Sequence, residues 1–541
     1  MIISKTQKPT VMFLLLMLIT IPTVLFFASC AEDKAWQTPA LPTPFVPPAI
    51  SAVNVDDGTA FEPKTLGIVP GATASELGFT WYGSAGATRA WVRLFRSGAL
   101  ESVTSGRSGR VPAKTGGTMC GDPSVNCDHP EMSWHKVTVS NLASGASYEY
   151  SVSNDSVNWS YRKTFRTPGA GTFSFAAVAD PQMTRGQQNP AYFGTPAPIG
   201  NGTVADGWRL TMEKITARGV NLIVSGGDQV DWVGGSGSFS LTNADEVEYE
   251  HFFAPPGMQS IPFAPAVGNH DLHNQFAYHF NLPNTGTRMD TSFNAMRAGA
   301  NSYYYLFGNV LFVALNTGIH LSSTDAARTQ VTAMSTLLTT AKSAHSGRYD
   351  WLVVHHHRSP HSQSAHSAEP VLGYLVKAGL NKIMEEHGVD IVITGHDHSY
   401  SRSHVVTTAD VDGPGVINRG ATSADNKNIT LDKGTVFFGF PSASGVKYYP
   451  LYHRHYDNAE YPYLSNGHVG NMGTGSNAFN TNNPTWAANV RIQNNTPGYG
   501  IFEVNGRTIS IRVFRTHDDG VVDEVTITKP SSTSVLRPYK W

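Results

Sequence analysis

Cysteine is nearly missing from this chain. Three residues in 541, at positions 30, 120 and 127, are too few for a thiolate-rich metal site and allow at most one disulfide. Charge of either sign is also scarce. Charged residues make up 15% of the chain and the net charge is −2, so no basic patch points to a nucleic-acid partner, none is expected, and no acidic block points to disorder. No internal repeat is evident, which leaves 541 residues for two or three separate domains with ample core. The apolar run from Val11 to Ala28 is short for a membrane-spanning helix.

That run has a different meaning. Lys5 and Lys8 precede it and Phe27-Ala28-Ser29-Cys30 closes it, the pattern of a lipoprotein-type signal peptide over residues 1–29. Cys30 then becomes the lipidated first residue of an exported, membrane-anchored chain in the periplasm or at the cell surface; an uncleaved anchor is the competing interpretation. Cys120 and Cys127 are left to close one small disulfide loop in an oxidising compartment, or to stay as free thiols. Residues 30–48 carry Pro39, Pro42, Pro44, Pro47 and Pro48 and read as an extended linker. Residues 49–168 alternate as short strands do, with Val92 and Leu94 set against Trp91, Arg93 and Phe95. The stretch Leu142 to Tyr148 resembles the tyrosine corner of Greek-key sandwiches, so a fibronectin type III-like β-sandwich is expected there. It has no cluster of His, Asp or Glu at ligand spacing. Its expected role is to stand between membrane and catalytic domain, or to help wall a cleft.

From 171 to 528, helical and strand patterns alternate, with helices expected near Trp208–Arg218, Asp325–Ala341 and Leu372–His387, and 529–541 is left as a tail. The apolar runs here end in Asp, Asn or His. Phe173 to Val178 leads to Asp180-Pro181-Gln182, Leu222 to Val224 to Gly227-Asp228 and on to Asp231, Phe263 to Val267 to Gly268-Asn269-His270-Asp271, Trp351 to Val354 to His355-His356-His357, and Val389 to Thr394 to Gly395-His396-Asp397-His398. In an α/β layer protein the loops after the carboxyl ends of strands share one rim. Two imidazoles at i and i+2 can then converge where Gly395 lets the backbone turn. Carboxylate, amide and imidazole together suit Mn, Fe or Zn. Taken singly, Gly-Asp and Gly-Asn are also ordinary turn pairs. Within 355–357, strand alternation puts His355 on the same side as the preferred His357.

Five such motifs in this order resemble the calcineurin-like metallophosphoesterases. The form G-H-x-H-x-Y-x-R from Gly395 to Arg402, with an all-β domain ahead, is most similar to the purple acid phosphatases. The resemblance implies two packed mixed β-sheets flanked by helices and two metal ions. It places Asp180, Asp228 and His398 on one ion and Asp228, Asn269, His357 and His396 on the other, with Asp228 bridging. It further implies hydrolysis of a small-molecule phosphate monoester by a hydroxide made reactive on the metals. His270, oriented by Asp271, is expected to protonate the leaving alcohol, with His366 a second candidate acid. Two positions depart from the family. Asp231 stands where the purple enzymes have a tyrosine, so the colour should be absent, and a carboxylate there is itself a candidate ligand. Gln182 replaces a glycine or histidine, and either ligates through its amide oxygen or lines the cleft. A phosphodiesterase or nucleotidase would use the same core, and a non-catalytic surface binding lipoprotein is the alternative of another class.

Overall fold

A computed structural model describes residues 61–113, 130–169, 172–184, 203–231, 246–285, 301–319, 321–364, 366, 369–407, 427–449, 451 and 488–530. The signal peptide, Cys30, the linker, Cys120, Cys127 and the tail beyond residue 530 lie outside these residues. Among the described residues no helix is long and apolar enough to cross a membrane.

The first part holds strands β1 (Lys64–Pro70), β2 (Leu77–Ser84), β3 (Trp91–Arg96), β4 (Ala99–Ser105), β5 (Arg107–Val111), β6 (Met132–Val139), β7 (Ser147–Ser153) and β8 (Lys163–Arg166). They pair as two sheets, β1-β2-β6-β5 and β4-β3-β7-β8. Alternation explains the packing: Phe79, Trp81, Val137 and Val139 of one sheet meet Val92, Leu94, Tyr148 and Tyr150 of the other in one buried core. This is a β-sandwich. The Tyr148 hydroxyl accepts the N–H of Ala143 at 2.8 Å, as a tyrosine corner requires.

The second part begins with β9 (Thr172–Val178), α1 (Val204–Ala217), β10 (Leu222–Ser225), α2 (Glu246–Phe253), β11 (Phe263–Ala264), α3 (Asn274–His279), β12 (Tyr303–Phe307) and β13 (Val310–Leu315). It continues through α4 (Thr324–Ala344), β14 (Trp351–Arg358), α5 (Pro370–Lys377), α6 (Leu380–Glu386), β15 (Ile391–Gly395), β16 (Tyr400–Val406), β17 (Asn428–Thr430) and β18 (Thr435–Gly439). It closes with β19 (Ala488–Ile492), β20 (Gly498–Asn505), β21 (Thr508–Arg515) and β22 (Val521–Thr528). These strands form two seven-stranded mixed sheets, β11-β10-β9-β20-β21-β22-β17 and β12-β13-β14-β15-β18-β16-β19. Phe175, Ile223 and Phe502 of the first pack against Phe312, Val353 and Ile393 of the second. On the outer face of the second sheet, Val331, Met334, Leu337, Leu338 and Ala341 of α4 cover Leu311, Leu352 and Val392. The α/β architecture of two packed mixed sheets flanked by helices is therefore present.

Two local expectations change. The single helix expected over Leu372–His387 is two, because the backbone at Gly379 turns left-handed, with φ 99°. The strand ending at Val354 instead runs on to Arg358, so the three histidines lie within it.

Candidate metal centre

In each sheet the strands nearest the site run parallel, β9, β10 and β11 in one and β13, β14, β15 and β18 in the other. Their carboxyl ends meet, and the loops there carry Asp180, Asp228, Asn269, His396 and His398, while His357 sits near the end of β14. The loops are bent hard. Asp180, Gln182, Asp228, His396 and His398 all have positive φ, at 48°, 38°, 55°, 73° and 49°, a region that non-glycine residues seldom occupy and that collects at functional sites. In the last motif the turn is thus made by the histidines themselves. Gly395 serves a different need: a Cβ there would lie 2.5 Å from Asp180 Oδ2 and 3.0 Å from the Gly226 carbonyl, where the two sheets touch.

Hydrogen bonds fix the tautomers. His357 Nδ1 faces the Gly226 carbonyl at 2.9 Å, and His398 Nδ1 faces that of Lys447 at 2.9 Å. A carbonyl only accepts, so both Nδ1 atoms carry hydrogen and the neutral rings turn bare Nε2 atoms inward. His396 is reversed: its Nε2 lies 3.1 Å from both oxygens of Glu369, which leaves Nδ1 bare. That Nδ1 stands 3.0 Å from His357 Nε2, which is also 3.0 Å from Asn269 Oδ1 and 3.1 Å from Asp228 Oδ2. His398 Nε2 lies 3.4 Å from Asp180 Oδ1, a buried oxygen with no hydrogen-bond partner among the described residues. Lone pairs of His357, His396 and His398 therefore converge on those of Asn269, Asp228 and Asp180 in a buried site. The ligating atoms of Asp228, His357 and His396 all lie within 4.8 Å of one another. Such a donor set fits a cation of the Mn, Fe or Zn type. A proton is the other way to reconcile it. Burial opposes a charge on His357, but Asp228 and then Asp180 outweigh it and push its pKa up to about 9; the same contact holds Asp228 well below the usual carboxylate range despite its burial.

Residues 173–400 match the family described as calcineurin-like phosphoesterase. They are a calcineurin-like phosphoesterase domain. No curated protein matches the chain significantly. Among solved structures, the purple acid phosphatase PPD1 from seeds of yellow lupin (Lupinus luteus) is 14% identical, with a TM-score of 0.56, and the match covers 88% of this chain and 78% of that one. GAP50, the anchor in the inner membrane complex of Plasmodium, is 13% identical over 67% of this chain and 90% of that one, with a TM-score of 0.34. Zinc-complexed Vps29 from Entamoeba histolytica is 10% identical over 65% and 98%, at 0.25. The lupin match bears on the fold, and the last two bear on nothing further. Phosphoester hydrolysis is thus the enzyme class of this domain, as its sequence motifs imply.

The phosphoesterase domain brings all six expected ligands to one rim and separates the histidine triplet. His355 stops at the Ser225 carbonyl, 3.0 Å away, and His356 points to the opposite face, so His357 alone reaches Asp228. Gln182 donates from Nε2 to Asp228 Oδ2 at 3.2 Å, while its buried Oε1 has no partner among the described residues. Asp231 is paired with Lys447 at 2.6 Å. His366 lies against His396, ring centroids 3.9 Å apart, with Nδ1 on Glu369 Oε1 at 2.8 Å.

Asp271 is the correction. Its carboxylate does not touch the His270 ring; it accepts the backbone N–H groups of Asp228, Gly268 and Gln229 at 2.8, 2.9 and 3.0 Å and is fully buried. Burial and then the charge of Asp228 push its pKa up to about 8. It builds the floor of the site. His270 is oriented instead by the Asp231 carbonyl, 2.5 Å from Nδ1, which leaves Nε2 toward the cleft.

Sequence reasoning missed Glu369, Lys447 and Tyr449. Glu369 bonds His396, His366 and Arg358 together, and these cations and donors hold its carboxyl far below the usual range although burial opposes them. A carboxylate on the outer nitrogen of a metal-ligating histidine is a common arrangement. Nothing in Ser367-Ala368-Glu369 has ligand spacing, so no local signal announces it. The rings of His366 and His398 both contact Tyr449, at 4.6 and 4.9 Å between centroids.

Proposed function

We propose that this chain hydrolyses phosphate monoesters at a dinuclear metal centre, and that it does so as an exported, lipid-anchored protein. The observation that carries the first part is the convergence of bare nitrogens and carboxylate oxygens at His357, His396, His398, Asp180 and Asp228. Asp180, Asp228 and His398 would hold one ion, and Asp228, Asn269, His357 and His396 the other, with Gln182 Oε1 free to add to the first. Bound ions would supply a water acidic enough to attack at working pH and would neutralise phosphate oxygens.

The side chains do the rest. His270 is partly exposed and its Nε2 can hold a proton at the cleft for the departing alkoxide. His366, pinned by Glu369, is the second group able to face the ester. Export rests on the charged and apolar N-terminus ending at Cys30.

A substrate panel on the soluble chain lacking residues before Ala31 tests the activity. An aryl phosphate monoester should be cleaved with metal-dependent turnover while the matching diester is left nearly untouched. The reverse preference would move the assignment to a phosphodiesterase or nucleotidase. Asn269→Ala should lower kcat/KM by about 100-fold or more with its fold intact. No metal-dependent turnover in the parent would leave a binding protein. Labelling of Cys30 by a fatty-acid analogue, lost in Cys30→Ala, tests the anchor.

A further inference from the structure

The segment after β18 crosses the site as a strap. Ala443 N donates to the Ala179 carbonyl at 2.8 Å, Ser442 Oγ donates to the Asp180 carbonyl at 2.8 Å, and Thr211 Oγ1 holds the Ala443 carbonyl at 2.6 Å. Farther on, the Lys447 carbonyl takes the Nδ1 hydrogen of His398, and Gln493 Nε2 donates to the Tyr449 carbonyl at 2.6 Å. The strap is therefore fixed at both ends to residues that shape the site. Between these anchors its one cationic side chain, Lys447, reaches Asp231 at 2.6 Å. Asp231 lies beside His270, with Oδ1 3.7 Å from His270 Nδ1. The side chains of Lys447, Asp231 and His270 remain 20%, 22% and 24% exposed, whereas Asp180 and Asp228 are buried, so this trio forms the open wall of the site.

We propose that Lys447 is a substrate-binding residue: its ammonium contacts a non-bridging oxygen of the phosphoryl group while it cancels the charge of Asp231 beside it. This rests on the phosphoesterase reading and goes beyond it. An ammonium has three N–H donors, and among the described residues one is spent on Asp231. The approaching phosphate carries negative charge into a cleft lined by Asp180, Asp228 and Asp231. Ions held by the first two would leave Asp231 as the remaining repulsive charge, and Lys447 cancels it while offering further donors to the same anion. A partner that served only to neutralise Asp231 could be buried with it; this pair instead stays partly exposed beside His270.

The test uses the metal-loaded chain with two probes, inorganic phosphate titrated by calorimetry and 4-nitrophenyl phosphate turned over at steady state. Lys447→Met should weaken phosphate binding and raise KM by about 10- to 100-fold, with metal content and Tm unchanged. Lys447→Arg should restore most of both. Asp231→Asn should bind phosphate at least as tightly as the parent, since it removes a negative charge and leaves the cation. Parent-like phosphate affinity in Lys447→Met would overturn the proposal, as would loss of metal in that variant or equal weakening in Asp231→Asn; each would make the pair a structural clasp. If Lys447→Met does not fold, the Arg and Asn variants still decide. If the parent binds phosphate in a Lys447-dependent way but turns over no ester, the hydrolytic assignment falls and the phosphate contact stands.

Discussion

His357 carries the sharpest consequence at the scale of single residues. Without metal its folded pKa of about 9 lies above the ordinary 6.5. Its protonation therefore stabilises the fold fully below pH 6.5, and that stability is lost as pH rises through about 9, on the order of a few kcal/mol for one fully buried group. A bound metal ion would take the proton's place. Melting curves of the stripped chain should fall in Tm from pH 6.5 to 9 relative to the loaded chain; parallel curves would show that His357 does not carry this proton. Gly395 is the other decisive residue. Gly395→Ala forces a methyl against backbone and the Asp180 carboxylate, at a cost of about 1–3 kcal/mol, and should lower metal content before it lowers Tm appreciably. Much at this scale was legible beforehand: strand ends followed by Asp, Asn and His marked the six side chains that gather at one rim. Glu369, Lys447 and Tyr449 were not, because each reaches the site through a loop whose path is set by tertiary contacts. Asp271 was assigned to its sequence neighbour His270, yet the amides of two separate loops compete for it and win.

Among the elements, the legible helices were those whose burial repeats with helical spacing. α4 buries Val331, Met334, Leu337, Leu338 and Ala341, the residues its pattern singles out. α2 has no such stripe, since it buries Glu246 and Glu248 along with Tyr249, Phe252 and Phe253, and Glu246 is held by Tyr82 and His279 from elsewhere in the chain. β14 ran longer than its apolar run because His355 and His357, both buried, find carbonyl partners across the sheet gap. β16 shows how one strand stiffens the loop before it. Tyr400 and Arg402 both reach Asp523 of β22, at 2.7 and 2.6 Å, with Arg402 2% and Asp523 9% exposed. Asp523→Ala removes the buried carboxylate that Tyr400 and Arg402 share, and denaturant unfolding should report a loss of about 3–5 kcal/mol. A loss under about 1 kcal/mol would mean that water repairs the gap.

Across the whole molecule, the sandwich is bolted to the phosphoesterase domain beside the metal centre. Lys136 of β6 is buried and donates to the carbonyls of Ala277 and Phe280 at the end of α3, the latter at 2.6 Å, and Asn281 Nδ2 donates back to the Val137 carbonyl at 3.1 Å. α3 follows directly on the Asn269–Asp271 loop, so the wall-building role expected of the sandwich has a physical route. Lys136→Met leaves two buried carbonyls short of a donor; we expect about 1–3 kcal/mol less stability and lower turnover with KM little changed. Unaltered turnover in that variant would uncouple the two domains.

The order of strands has one more consequence, for the making of the chain. β9, the first strand of the phosphoesterase domain, lies between β10 and β20, and β20 comes only after every strand of the second sheet. A ribosome must therefore emit the whole second sheet before β9 gains its second neighbour, and such long-range closure is slow. Until then β9 keeps one bare edge, a row of amides and carbonyls open to any other strand that passes.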